Sequence, residues 1–223
     1  MPLIVIEGLD GSGKATNAAL LTKTLADMGK DVIKINFPDY ESDSSALVKM
    51  YLAGKFGSKP EDVNAYAASA FYAVDRFASY KTNWKDAYDR GAWIIADRYT
   101  TSNAVHQASK LNGAERDSYL EWLYEFEFDK LGLPRPDAVI YLDLDPKVSQ
   151  ALMEKRYNGD NSKKDIHESD VSYLEHCRDS AIYAATKLGW NIIHPCENGK
   201  LLPIELVFEK IFNCIKDLYG DKL

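Results

Sequence analysis

The stretch Ile4-Val5-Ile6-Glu7-Gly8-Leu9-Asp10-Gly11-Ser12-Gly13-Lys14-Ala15-Thr16 constrains the fold more than any other part of the chain. An apolar, β-branched run leads into glycines at positions 8, 11 and 13, then a lysine, then a segment with helical spacing. That order reads as strand, tight loop and helix. A glycine-rich loop at a helix N-terminus bares backbone N–H groups where partial positive charge favours phosphate. Lys14 adds a mobile ammonium for β- and γ-phosphates, so the stretch reads as a phosphate-binding P-loop. Gly-x4-Gly-Lys alone arises by chance in roughly one chain in fifteen of this length, so the flanking strand and helix carry the specificity. One position departs from the pattern. Ala15 stands where Ser or Thr would hold Mg2+, with Thr16 one place later.

Strand-like runs alternate with helical patterns along all 223 residues, the mark of a parallel sheet covered by helices. The expectation is an α/β fold, one domain over 1–223, whose five strands fall near Leu3–Glu7, Asp31–Phe37, Trp93–Asp97, Ala138–Asp143 and Asn191–His194. Helices are expected over Lys14–Met28, Ser44–Ala53, Pro60–Tyr80, Tyr99–Lys110, Ala114–Leu131, Pro146–Arg156, Ser169–Leu188 and Pro203–Tyr219. The prolines agree. Pro38, Pro134, Pro136 and Pro195 fall in connections, while Pro60, Pro146 and Pro203 open helices, where a missing N–H costs nothing.

A net charge of −7 argues against a general nucleic-acid binder, yet small phosphorylated ligands need only a few local cations. Cys177, Cys196 and Cys214 show no CxxC spacing and fit reduced thiols of a cytoplasmic protein. No apolar run reaches membrane-spanning length and no basic leader precedes the first strand, so no membrane role is expected.

Three later stretches bear on a phosphate site. Tyr72 and Arg76 lie four apart and share a helix face. A ring with a guanidinium one turn away suits a nucleobase, and equally a buried tyrosine beside a surface arginine. Asp97-Arg98-Tyr99 ends the apolar run Trp93–Ala96, where ligands of open α/β sheets bind. The planar fork of Arg98 suits phosphate and the carboxylate of Asp97 suits Mg2+. Ser102, Asn103, His106 and Gln107 follow at spacings that put several on one face. The polar stretch Tyr157–Asp165 is a solvated loop or, near a phosphate site, a lid.

Gly8 to Lys14, Phe37-Pro38-Asp39, Tyr72 to Arg76, Asp97-Arg98-Tyr99, Ser102 to Gln107 and the polar stretch occur in the order found in thymidylate kinases. The resemblance spans about the whole length. It implies a P-loop kinase fold with a short lid segment over about 156–168, usually homodimeric. It also implies ATP- and Mg2+-dependent phosphorylation of dTMP to dTDP. By that resemblance Gly8, Gly11, Ser12, Gly13, Lys14, Ala15 and Thr16 cradle the ATP phosphates, and Asp10 meets the sugar 3′-hydroxyl. Phe37 belongs to the dTMP site, Tyr72 packs on thymine and Arg76 reaches the base edge. Asp97, directly or through water, and Arg98 serve Mg2+ and the acceptor phosphate. Ser102, Asn103 and Gln107 fall among base-contacting positions, and His106 stands where a tyrosine or phenylalanine commonly packs near the 2′ carbon. Tyr40 replaces a usual arginine, and Ile166 stands where the lid often has one, so Arg156, Lys163 or Lys164 is expected to supply the catalytic lid charge. The rivals are another deoxynucleotide kinase, a deoxynucleoside kinase with Glu7 as base, and a catalytically weak nucleotide-binding regulator.

Overall fold

The computed structural model describes residues 2–156, 167, 171–197, 199–220 and 223. Most of the expected lid, with Lys163, Lys164 and Ile166, lies outside them, and so does the side chain of Arg156.

The first strand, β1 (Leu3–Gly8), is buried along its whole length. A strand apolar on both faces must lie inside a sheet covered on both sides. It does: β2 (Val32–Asn36), β3 (Trp93–Asp97), β4 (Ala138–Leu142) and β5 (Asn191–Ile193) join it in a parallel sheet of order β2-β3-β1-β4-β5. Successive side chains point to opposite faces. Leu3 and Val5 enter one core with residues of α3 (Ala65–Ser79), α5 (Thr101–His106), α6 (Gly113–Tyr124) and α8 (Val171–Leu188). Ile4 and Ile6 enter the other, under α1 (Lys14–Asp27) and α9 (Ile204–Tyr219). On α9 the buried Val207, Ile211 and Ile215 recur every four residues, the spacing of a helix lying on a sheet.

The order in which strands are added reverses beside β1, with β3 on one side and β4 on the other. The loop after β1 therefore opens at the switch point, beyond the carboxyl ends of the strands. All five expected strands are present, within one or two residues at their ends.

The helices depart from expectation where side chains intervene. Pro60–Tyr80 is two pieces, because the Asn64 side chain accepts from the N–H of Ala67 at 2.9 Å and starts α3 afresh. Beyond Ser79 a π-helical turn, Tyr80–Trp84, turns Tyr80 and Trp84 into the core and runs into α4 (Lys85–Asp89). Tyr99–Lys110 becomes α5 and a short 3-10 turn, and Ala114–Leu131 becomes α6 and a π-helical turn over Glu125–Lys130. Short α2 (Ala46–Leu52) follows β2, and α7 (Pro146–Arg156) has the expected bounds. A small antiparallel pair, β6 (Cys196–Glu197) with β7 (Lys200–Leu201), was not expected. Among the described residues no helix is long and apolar enough to cross a membrane.

Candidate active site

The loop between β1 and α1 is built by close approach. A Cβ at Gly8 would sit 2.5 Å from Ser12 Oγ and 3.1 Å from the Leu142 carbonyl, so only glycine fits. Gly13, at φ 89°, caps α1 in the left-handed region that glycine adopts freely. No side chain caps that terminus, and the first N–H groups of a helix lack intrahelical partners. Ser12 Oγ is buried and, among the described residues, unpartnered. An uncapped N-terminus beside an orphaned hydroxyl fits an anionic ligand that supplies acceptors. Lys14 donates to Asp10 Oδ1 at 2.9 Å and to the Leu9 carbonyl at 3.3 Å, so its ammonium is held over the loop.

Arg98 organises the strand ends. Its φ is 68°, a rare conformation for a non-glycine residue and one that clusters at functional sites. Nη1 donates to Glu7 Oε1 (3.3 Å), Ser102 Oγ (3.3 Å) and His106 Nε2 (3.2 Å), and Nη2 donates to Asp10 Oδ1 (2.7 Å). Burial opposes the charge, but the carboxylates of Asp10, Glu7 and Asp97 outweigh it and push the guanidinium pKa up. Partial burial raises Asp10 too, and Arg98 with Lys14 overcomes this and holds it well below the usual carboxylate range. Fully buried Glu7 also accepts from the Gly8 N–H (3.0 Å), Thr101 Oγ1 (2.8 Å) and Ser102 Oγ (2.7 Å). It ties β1 to α5 and fixes the guanidinium between them.

A cavity of about 710 Å3 spreads over this cluster. Asp10, Lys14, Ala15, Phe37, Tyr72, Arg76, Asp97, Arg98, Ser102, Asn103, His106 and Gln107 all line it, so expected residues far apart in sequence converge. Asp75 holds the loop after β2 against α3, accepting from the Asp39 N–H (2.8 Å) and Ser44 Oγ (2.6 Å). Arg76 is not a surface arginine. It is buried, donating from Nε and Nη2 to Glu127 at 2.7 and 2.5 Å, and Thr100 and Asn103 also donate to that carboxylate. Among the described residues Nη1 has one long contact, 3.4 Å to the Tyr99 carbonyl. Gln107 is fully buried at the cavity wall, and among the described residues neither its Oε1 nor its Nε2 has a partner. Such an amide fits a ligand edge that offers both a donor and an acceptor.

Two imidazoles close one side. His106 and His167 stack with centroids 5.4 Å apart and planes 10° apart. Arg98 only donates, so His106 Nε2 accepts and its proton sits on Nδ1, 3.5 Å from Cys177 Sγ. Burial, then the Arg98 charge, holds the His106 pKa well below the usual imidazole range. Burial, then the Lys110 charge, pushes His167 down to about 3. Below about pH 6.5 the unfolded chain protonates both rings while the folded chain does not. Stability is therefore full above that pH and falls as pH drops, by roughly 2 kcal/mol between pH 6.5 and 5.5. Denaturant melts at the two pH values read this directly. An equal change in midpoint between the two pH values in the wild type and in the His106→Phe/His167→Phe variant would show that the rings titrate normally.

Among the described residues no cluster of three or more His, Cys, Asp or Glu could cage a metal. Mg2+ does not ask for one, since it keeps waters and binds through one or two carboxylates plus phosphates. Asp97 fits that need: it is half-buried at the cavity and makes no side-chain hydrogen bond or ion pair among the described residues.

Glu7 as an anchor, Glu127, Lys34 and Lys49 were not read from sequence as parts of the site, and His167 only as a residue of the lid stretch. Glu127 left one signal. It falls on the buried face of its helix with Leu120 and Leu123, and a charge there implies a buried partner.

A family model described as thymidylate kinase matches residues 6–202. A thymidylate kinase of Mycobacterium tuberculosis is 31% identical over 193 residues, covering 84% of this chain and 87% of that one. A probable thymidylate kinase of Staphylothermus marinus is 32% identical over 184 residues, covering 82% and 81%. Among solved structures, the thymidylate kinase of Candida albicans superposes with a TM-score of 0.69 at 22% identity, covering 97% of this chain and 91% of that one.

Proposed function

The chain belongs to the thymidylate kinase family, an ATP-dependent nucleoside monophosphate kinase acting on dTMP, and from that premise we propose how its residues carry the transfer. The acceptor is a phosphate monoester, largely dianionic near pH 7 because its second pKa is about 6. It needs no general base. One of its oxygens bonds to the γ-phosphorus while the bond to the β–γ bridging oxygen breaks, the electron pair leaving with ADP. The obstacle is bringing two anions into line, and fixed positive charge in a dry cavity removes it.

The observation that carries this reading is the anchoring of Arg98, held by Glu7, Ser102 and Asp10 in the same cavity as Lys14. Gly8 to Thr16 take the ATP phosphates, with Lys14 on the β- and γ-groups. Arg98 takes the acceptor phosphate, which frees Asp10 for the sugar hydroxyl. Tyr72 and Phe37 flank the base, Arg76 meets its edge from a position fixed by Glu127, and the orphaned Gln107 amide matches the carbonyl and N–H of thymine. Asn103 borders the base and His106 the sugar. Asp97, directly or through water, holds Mg2+, which when bound neutralises charge on the phosphate oxygens. Arg156, Lys163 and Lys164 remain the proposed lid cations.

A hydroxyl acceptor would need a free carboxylate base, and Glu7 already accepts from four donors. Comparing dTMP, dUMP, dCMP, dGMP and thymidine in a coupled ADP assay tests the reading. Highest kcat/KM on dTMP with no turnover of thymidine is expected. Thymidine turned over as fast as dTMP would overturn the phosphate-acceptor mechanism, and tight ATP and dTMP binding without ADP formation would favour the regulator.

The chain acts as one kinase domain over 1–223 and pairs with a second copy through α3. Ala67, Ala70, Phe71, Val74, Phe77 and Ala78 form one partly exposed apolar stripe there, with Val74 51% exposed. Equilibrium sedimentation should give twice the chain mass, and a single-chain mass at micromolar concentration would refute the pairing. Free Cys177, Cys196 and Cys214 suit the cytoplasm.

A further inference from the structure

In this P-loop the residue after the lysine is Ala15, which offers no metal ligand. Across from it stands a cation that no motif announced. Lys34 lies on β2, an edge strand, paired in register with Ile95, and Asn36 two residues on is paired with Asp97. Ile95 packs in the core under α1 with Ala18, Leu21 and Leu25. Residues at i and i+2 share a strand face, so Lys34, Asn36 and Asp97 emerge together on the α1 side. All three line the cavity with Lys14 and Ala15. Lys34 lies roughly 7 Å behind Asn36 along the strand, a gap its flexible four-carbon stem can cross.

Its charge is also uncommitted. Lys14 is paired with Asp10, Arg98 with Asp10 and Glu7, and Arg76 with Glu127. Lys34 makes no ion pair or side-chain hydrogen bond among the described residues, though it is exposed at the cavity mouth. We propose that Lys34 binds the terminal phosphates of the ATP donor, supplying beside Ala15 a fixed positive charge where other P-loops recruit it through a hydroxyl-held metal. The ammonium donates to β- and γ-phosphate oxygens and stays as negative charge moves toward the ADP leaving group. This rests on the triphosphate following Gly8 to Thr16, as set out above.

The test is calorimetric binding of ATP, AMP and dTMP to the full chain and to Lys34→Met, Lys34→Arg and Lys14→Met, in EDTA and in Mg2+. Lys34→Met should weaken metal-free ATP binding about tenfold, the lower end for a lost charge-assisted contact. AMP and dTMP should bind as to the wild type, and Lys34→Arg should stay within about twofold for ATP. The Mg2+ needed for half-maximal turnover should rise in Lys34→Met. Unchanged ATP affinity in Lys34→Met, or equal weakening of AMP and dTMP, overturns the assignment. Lys14→Met separates the two failures. If it loses ATP affinity while Lys34→Met does not, only the role of Lys34 falls. If both keep wild-type affinity, the path of the triphosphate itself is wrong.

Discussion

Arg98→Ala lowers kcat/KM for dTMP by about three orders of magnitude, most of it in kcat. An arginine that neutralises a transferring phosphoryl group contributes about 10³ to 10⁵ in rate, and a single preorganised donor about 10² to 10³. In its proposed role Arg98 combines both properties. Its guanidinium is held at four points by Glu7, Ser102, His106 and Asp10, so little reorganisation remains when the acceptor arrives. The charge persists across any working pH, because the surrounding carboxylates push its pKa up. Stability changes less, since Glu7 keeps Gly8, Thr101 and Ser102 as donors and Asp10 keeps Lys14. Arg98→Lys restores only part of the rate, because one ammonium cannot span those partners at once. A coupled ADP assay with saturating ATP measures this, and an alanine variant within tenfold of the wild type would remove Arg98 from the transfer step.

Range explains why the proposed phosphate-binding residues are legible from local sequence while the buried partner that fixes Arg76 is not. Gly8 to Thr16 are contiguous, and their proposed role rests on local backbone geometry and a helix terminus. Asp97 and Arg98 end a strand, and the ends of parallel strands meet along one edge whatever the loops do. The positions of strands were likewise legible, because β1, β3 and β4 are short apolar runs bounded by polar residues. Helix ends were legible at α1, α7 and α9 but not elsewhere, since Asn64 as a cap and the π-helical turns at Tyr80 and Glu125 depend on single side chains and their packing. Arg76 shows the limit most clearly. Its spacing from Tyr72 announced a shared face, but its partner Glu127 is 51 residues away, and no periodicity links them. Lys34 was hidden differently. A lysine on an edge strand reads as protection against edge pairing, and only the register with β3 turns it toward the phosphate loop.

Glu127→Ala destabilises the fold by about 3 to 5 kcal/mol, the cost of leaving a buried partner charge unpaired. Arg76 is 1% exposed and Glu127 0%, so neither can turn to water. The substitution also strips acceptors from Thr100 Oγ1 and Asn103 Nδ2, held at 2.7 and 3.4 Å. At about 2 to 4 °C per kcal/mol for a chain of this size, the melting temperature falls by roughly 10 °C. Arg76 then loses its fixed position at the cavity wall, so KM for dTMP rises while KM for ATP stays. Arg76→Met/Glu127→Leu separates the two effects, because a well-packed apolar pair of similar volume can replace a buried ion pair at little cost. The double variant recovers most of the melting temperature and none of the dTMP affinity. Were it to recover both, the pair would be scaffold alone, and thymine would be held by Gln107 and Tyr72 without it. Thermal melts and paired KM measurements on the three chains decide between these outcomes, and they do so because Arg76 is the point where the core and the cavity share one side chain.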